Sequence, residues 1–552
     1  MKKILISVLT LLAVFVLTGC VKMATTTTTE PITTTTTGEG PVSKIVMDIP
    51  DEEVTILFWH IYGAGKTALL DKLIDEFEAM YPNVTIESQS QSDYNTLREK
   101  INTGIGVGQV PTMALGYPDH FAGYIQAGAA YSLNNFIYSN IQYEITDSTS
   151  TIFGDLVDVS LDLEDFVPGY LAENNQYVGG QYYSMPYSKS TETMAINRTI
   201  VKNHVAAIRA AGIEVSDEGF FSHTTPLTFS QIQTLGTILL NSTGTTDVAN
   251  FKCGYLLNYD SSGNMFINMS RQWSAPYTNS AGDILINNNT TKSMLAYINA
   301  MFNDRTFVLP VKFGQSYGST NFKYGDICMT VGSTAGVLYN IPSATDVQTN
   351  LKFGIFDVDF LQVPQPTTTA GQAVQLSAGS TNYNFTGQLS SVQQGPNIGI
   401  FKKASANEKL FAWLFIKYLT TAENTALWAM DTGYLPVRLS AYTSDVTIKL
   451  TPTFSTTYVN FLKIATDYWT ADGQVDWADT DERWDYLHSS MVANIAKNQA
   501  LYYQYDPAFP AGSSSAGSAT VRVEAGYCLE NIYNKTKTPE TALSFFLNQV
   551  DW

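Results

Sequence analysis

The apolar positions change period along the chain. Val54 to Trp59 form a short β-rich run, and Ala68, Leu69, Leu70, Leu73, Ile74, Phe77 and Met80 then recur at helical spacing. Pro82 stops that helix, and Val84-Thr85-Ile86 reads as the next strand. Leu97, Ile101 and Ile105 mark a second helix, and Thr112 to Gly116 a third strand. Strands alternating with helices predict a parallel sheet, whose ligand crevice lies beyond the strand C-terminal ends. Trp59, His60, Tyr94 and Tyr117 fall at those ends or in the following loops.

The later half is punctuated by helix caps. Ser405 and Glu408 form a candidate capping box, Thr421 opens another helix with Gly433 beyond its end, and Thr538-Pro539-Glu540 opens a last one through Leu547. Residues 278–292, 364–395 and 510–519 are rich in small and polar residues and read as loops.

The N-terminus follows another pattern. Lys2 and Lys3 precede an apolar run from Ile4 to Leu17, closed by Leu17-Thr18-Gly19-Cys20. The run is short for a bilayer span and has the flanks of a signal peptide. Its ending resembles a bacterial lipobox, which implies cleavage, a lipidated Cys20 and anchoring at the outer face of the cell membrane. Residues 24–41 hold two five-residue Thr runs and no apolar face, so residues 21–50 are expected to be a disordered tether.

Composition then narrows the class. The 552 residues, 44% hydrophobic and 15% charged, exceed what one core usually covers, which predicts two or more core-forming units. A net charge of −19 argues against nucleic acid as a partner. With 32 Tyr and 8 Trp, stacking surfaces for polar organic ligands are available. Cys253, Cys328 and Cys528 are an odd, widely spaced set and read as small buried hydrophobes.

Several motifs offer candidate chemistry. HIYGAGKT (60–67) ends like a phosphate-binding loop but starts with His60 where that loop needs Gly, so a helix N-terminus is the better account. Gly314-Gln315-Ser316-Tyr317-Gly318 fits the spacing of a nucleophile elbow. Pro310 breaks the preceding strand and His488 is the only downstream His, which leaves a serine hydrolase as a remote alternative. The acidic residues from Asp472 to Asp485 lack the spacing of a calcium loop, and the five His form no metal pattern, so no metal and no cofactor are expected. Arg522 lies after a Gly/Ser loop in what reads as a β-rich run, and an Arg there can grip an oxyanion with two hydrogen bonds.

Six blocks in order resemble the family 1 extracellular solute-binding proteins of bacterial ABC importers. They are residues 55–83, YSMPYSKSTETMAIN (183–197), FKCGY (251–255), FKYGDICMT (322–330), residues 408–437 and residues 521–543. The resemblance implies an α/β, two-lobed fold of the periplasmic-binding-protein type (type II), with a hinge and a ligand cleft between lobes. It implies one lobe near 51–185 plus 360–442 and the other near 190–355 plus 445–552. It further implies a monomer that hands a small solute to the permease subunits of an importer and makes or breaks no bond.

Within the family the likeness is to the glycerol-3-phosphate-binding branch. Carried over by matching positions, it implies Tyr94, Ser190, Ser333, Gly395, Tyr434 and Arg522 as ligand contacts. The branch's Glu, which holds the glycerol hydroxyls, falls at Pro118; Asp119 beside it substitutes only if the loop shifts. An all-donor set of this kind fits a buried oxyanion such as glycerol 3-phosphate or a glycerophosphodiester. A neutral oligosaccharide is the alternative, with Trp59 and Trp273 as stacking rings.

Overall fold

In a computed structural model describing residues 43–346, 351–512 and 516–550, the predicted opening unit is present. Strand Val54–His60 buries Val54, Ile56, Phe58 and His60 on one face. Helix Ala64–Met80 returns the chain to the parallel strand Val84–Ser90. Met113–Gly116 joins on the other side, also parallel. Asn397–Ile400 adds antiparallel to Met113–Gly116, and Met185–Pro186 adds antiparallel to Asn397–Ile400, completing a five-stranded sheet. Helix Ala406–Leu419 packs its buried face on this sheet, opened by the predicted Ser405/Glu408 capping box.

The second sheet orders Phe307–Val308, Tyr255–Tyr259, Ile327–Ser333, Glu192–Asn197 and Val358–Leu361. Its first three strands are parallel, and Glu192–Asn197 runs antiparallel to both its neighbours. Side-chain alternation explains its two covered faces. Met194 and Ile196 enter a core shared with helices Phe229–Leu239, Ser262–Gln272, Asn289–Asn303 and Ser518–Tyr533. Ala195 enters the opposite core with helices Tyr458–Thr470 and Arg483–Asn498.

Neighbouring segments cross between the sheets. Ser190 and Gln394 exchange backbone hydrogen bonds of 2.8 and 2.9 Å, Lys189 bridges Leu435, and Ser391–Val392 pairs with Tyr503–Gln504. Lys189 is the fixing point. Its ammonium, shielded from solvent, pairs with Glu173 and donates to Gly395 O (3.0 Å) and Asn397 Oδ1 (3.3 Å). Gly395 has φ +99°, and a Cβ there would fall 2.8 Å from Lys189 Cα, so only glycine fits the crossing.

The expected boundaries shift in three places. Ile45–Asp48, assigned to the tether, is a strand paired in parallel with Ile141–Glu144. Val358–Leu361 belongs to the second sheet, so the chain returns to the first only near Ser391–Asn397, not at 360. The stretch 364–395, read as a loop, contains a hairpin, Gln372–Ala378 with Thr381–Gly387. Its polar composition hid a strand period: Leu376 sits opposite Tyr383 and Val374 opposite Phe385, and all four pack on the second lobe's core. The predicted signal peptide of residues 1–20, with Cys20, and the Thr runs lie outside the described residues. Cys253, Cys328 and Cys528 are buried and unpaired to one another by disulfide, as read from sequence.

Two outcomes follow from these contacts. Lys189→Met leaves the Glu173 carboxylate buried without its cation, and we expect it to lower the urea-unfolding free energy by about 3–5 kcal/mol. His60 is also buried; its Nδ1 accepts the Tyr62 N–H (3.0 Å) and its Nε2 meets Ser88 Oγ (2.8 Å). Burial lowers this ring from 6.5 to about 4. Above pH 6.5 it is neutral in both states; between 6.5 and 4 only the unfolded chain takes the proton. Stability should therefore fall as pH drops through that window, by up to about 1.4 kcal/mol per pH unit more in wild type than in His60→Gln, read from unfolding midpoints at each pH.

Candidate functional site

A small polar cavity of about 30 Å³ opens where the two lobes meet the crossing segments. Tyr117, Asp119 and Glu173 line it from the first lobe, Gln393 and Gln394 from a crossing, and Asp506 and Arg522 from the second-lobe side. Arg522 comes from helix Ser518–Tyr533, not from a strand. Flanking Val521 and Val523 suggested β structure, but Val521, Ala525, Leu529 and Ile532 bury one helical face against the second lobe. Packing outweighs the weak β preference of two valines.

The Arg522 guanidinium is already engaged. Nη2 donates to Asp506 Oδ2 (2.8 Å), Nη1 to Asn264 Oδ1 (2.5 Å), and Nε lies 3.9 Å from Asp119 Oδ2. Burial alone would make it easier to deprotonate, but Asp506 and Asp119 outweigh that and hold it above the usual arginine range. Asp506 also pairs with Arg271. Asp119 sits in the first turn of helix Pro118–Gln126, with Pro118 at the start. Its carboxylate reaches the cavity wall and Arg522 from the first lobe without any displacement of the loop.

Tyrosines extend the site on the first-lobe side. The Tyr94 and Tyr117 ring centroids lie 4.5 Å apart. Tyr434 stacks over Trp428 at 6.5 Å and meets Tyr62 edge-on at 6.4 Å. Lys66 lies 4.9 Å above the Tyr434 ring and donates to Ala335 O of the second lobe (3.0 Å). Its ammonium, lowered to about 8 by burial against the pull of Asp431, is thus an interlobe tie, not part of a phosphate loop. Burial first, and neighbouring tyrosines second, raise Tyr62 and Tyr94 well above 10, and burial raises Tyr434 to about 12. These hydroxyls stay protonated at neutral pH and can donate as well as accept. The Tyr94 hydroxyl is buried without a well-formed hydrogen bond among the described residues. It perturbs that of Tyr434 across the pair.

The sequence-derived set therefore divides. Tyr94, Asp119, Tyr434 and Arg522 gather around Tyr117. Ser190 and Gly395 lie in the crossings behind the cavity. Ser333 ends strand Ile327–Ser333 on the second lobe, next to the Thr334–Val337 turn that Lys66 touches. Trp59 is half-buried on the first sheet, with Nε1 on Gln89 Oε1 (3.2 Å), and is not in the cavity wall. Trp273 is wrong as a stacking ring: it is fully buried and lies flat on Phe385 at 3.8 Å, inside the second-lobe core. Its large apolar area gains more from the hairpin than from a cleft.

Sequence reasoning missed Asp506, Gln394 and Asn264, which no local pattern marks. Tyr117 was visible beyond the third strand but unassigned. Ser316 lies in an exposed loop, while His488 packs edge-on against Phe360 in the second-lobe core. The two do not form a nucleophile–base pair.

Comparison with known proteins agrees with this architecture. Residues 72–456 match the family described as bacterial extracellular solute-binding protein. The sn-glycerol-3-phosphate-binding periplasmic protein UgpB of Salmonella typhimurium is 21% identical over 399 residues, 70% of this chain and 75% of that one. Among solved structures, UgpB from Mycobacterium tuberculosis in complex with glycerophosphocholine superposes with a TM-score of 0.58 at 16% identity, covering 90% of this chain and 98% of that one. The ABC substrate-binding protein Lmo0181 from Listeria monocytogenes, in complex with cycloalternan, gives 0.57 at 16% identity, with the same coverages. The fold is that of the two-lobed solute-binding proteins, and the chain belongs to the bacterial extracellular solute-binding protein family.

Proposed function

We propose that the protein captures an uncharged, hydroxyl-rich solute, an oligosaccharide, between its lobes at the residues lining the interlobe cavity, which at about 30 Å³ must widen as the lobes part to admit it, and delivers it to an ABC importer. The observation that carries this is the pairing of Arg522. Its guanidinium faces Asp506 within the second lobe and Asp119 across the cleft, and Glu173 lines the same cavity. Both partners of Asp506, Arg271 and Arg522, stand on second-lobe helices. A phosphate dianion would meet a charge-balanced site: Arg522 and Arg271 face Asp506 and Asp119, and Lys189 takes up Glu173, so no net positive charge is left to hold it. A sugar instead needs what is present: tyrosine faces, protonated hydroxyls, and carboxylates that accept from its hydroxyls. Asp119, standing beside the position of the branch's missing Glu, is the natural acceptor.

A net-neutral glycerophosphodiester bearing a cationic head group is the second reading. It suits the same balanced charge, with the phosphodiester toward Arg522 and the cation toward Asp119 and the Tyr117 ring. It is also the class of ligand named for the Mycobacterium tuberculosis structure.

The lipobox-like Leu17-Thr18-Gly19-Cys20 supports a lipid-anchored form held at the outer membrane face. Cys20→Ala should move the full-length protein from the membrane fraction to the soluble fraction of a bacterial host. Wild type already in the soluble fraction would count against anchoring.

A thermal-shift screen separates the solute classes. Maltotriose, as a probe for neutral oligosaccharides, should stabilise the fold by about 2.7 kcal/mol at about 100 times its Kd. Its Kd should barely change between low and high salt, because no net charge enters the site, and Tyr117→Ala should weaken it about tenfold or more. Stabilisation by glycerol 3-phosphate alone, weakening with salt, would restore the dianion reading; stabilisation by glycerophosphocholine alone would select the second.

A further inference from the structure

Helices Ser262–Gln272 and Ser518–Tyr533 cross at two glycines. A Cβ on Gly263 would lie 2.9 Å from Arg522 O, and one on Gly526 would lie 3.2 Å from Gly263 N. This close crossing sets Asn264 directly beside Arg522.

The Asn264 side chain is almost fully buried and uses its whole amide. Oδ1 accepts from Arg522 Nη1 (2.5 Å). Nδ2 donates to Glu192 Oε1 (2.9 Å) and to Gln394 Oε1 (2.9 Å). The orientation is dictated by chemistry. A flipped amide would turn N–H groups toward a guanidinium that only donates, and its oxygen toward a carboxylate that only accepts. Glu192 is held in turn by the Tyr259 hydroxyl and stands at the start of the first strand of the second lobe.

Gln394 belongs to the crossing segment, where its backbone pairs with Ser190. The next carbonyl, that of Gly395, is held by Lys189, whose partner Glu173 is in the first lobe. One peptide link therefore separates a residue tied to the second lobe from a residue tied to the first, at a backbone angle of φ +99°.

We infer that Asn264 is a positioning residue that couples the orientation of Arg522 to the pivot between Gln394 and Gly395. A solute that draws on Arg522 acts through the Asn264 amide on Gln394, and so on the angle between lobes. The inference rests on the reading that Arg522 faces the solute. It adds to it a route from that contact to closure.

The test uses the full chain with spin labels on exposed positions of the two lobes, Val107→Cys and Val248→Cys, read by pulsed electron paramagnetic resonance. Asn264→Asp keeps an acceptor for Arg522 and loses both donors. We expect its interlobe distance distribution without solute to be about twofold broader than in the parent, with a lower melting temperature because the new carboxylate faces that of Glu192; Gln394→Ala adds no buried charge and controls for that loss. Gln394→Ala should reproduce the broadening, and the double variant should add nothing further, since both break one link. With maltotriose as the probe, Asn264→Asp should bind about tenfold more weakly. If Asn264→Asp fails to fold, Gln394→Ala alone carries the comparison. An unchanged distribution in the folded variants, or full additivity in the double variant, overturns the coupling. Failure of maltotriose to bind the parent would instead count against the proposed solute class, while the solute-free distributions still decide the coupling.

Discussion

The Lys189 ammonium is sealed from water, and its three acceptors come from two distant stretches of chain. Glu173 ends a first-lobe helix, Gly395 O lies in a crossing, and Asn397 begins the strand that re-enters the first sheet. A buried cation tolerates no loose partner, because each lost acceptor leaves charge in a medium that cannot solvate it. That intolerance fixes the crossings side by side, and the crossings fix where the lobes meet. Gln393 and Gln394 become cavity wall as a consequence, and Asp119 and Arg522 are brought to face each other from elements about 400 residues apart in sequence.

The charge at the meeting point then constrains what can occupy it. Arg522 alone would invite an anion. Flanked by Asp506 and Asp119 it becomes a fixed multiple donor with little net charge to offer. The tyrosine side of the cleft works in the same sense: burial keeps the hydroxyls neutral, so they present polarity without charge. Asn264 is the point where this site touches the hinge, since a single amide serves the guanidinium, a hinge-proximal carboxylate and a crossing glutamine.

Much of the fold was legible because it rests on local signals. The Val54–His60 strand, the helix stopped before Pro82, the Ser405/Glu408 capping box and the Gly433 left-handed cap all follow from residues within one or two turns of each other. What failed was non-local. Leu376 and Tyr383 make sense as strand residues only once the second-lobe core is present to cover them, so a polar-looking stretch concealed a hairpin. Arg522 reads as a strand residue but stands in a helix, because the helix is selected by packing against Gly263 and not by its own first turn. Trp273 illustrates the limit for sites: a large ring is as useful to a core as to a ligand, and composition does not tell them apart. The neutralising partner Asp506 was invisible for the same reason, as no spacing rule links it to Arg522.

The central claim is that solute is held between the lobes, at the cluster around Tyr117 and Arg522, by groups from both sides. Hydrogen–deuterium exchange with and without a bound solute tests it most directly. The account predicts simultaneous protection of residues 117–120, 393–397 and 518–523, spanning both lobes and the crossing between them. Protection confined to one lobe, or centred on the Trp273 hairpin, would contradict it.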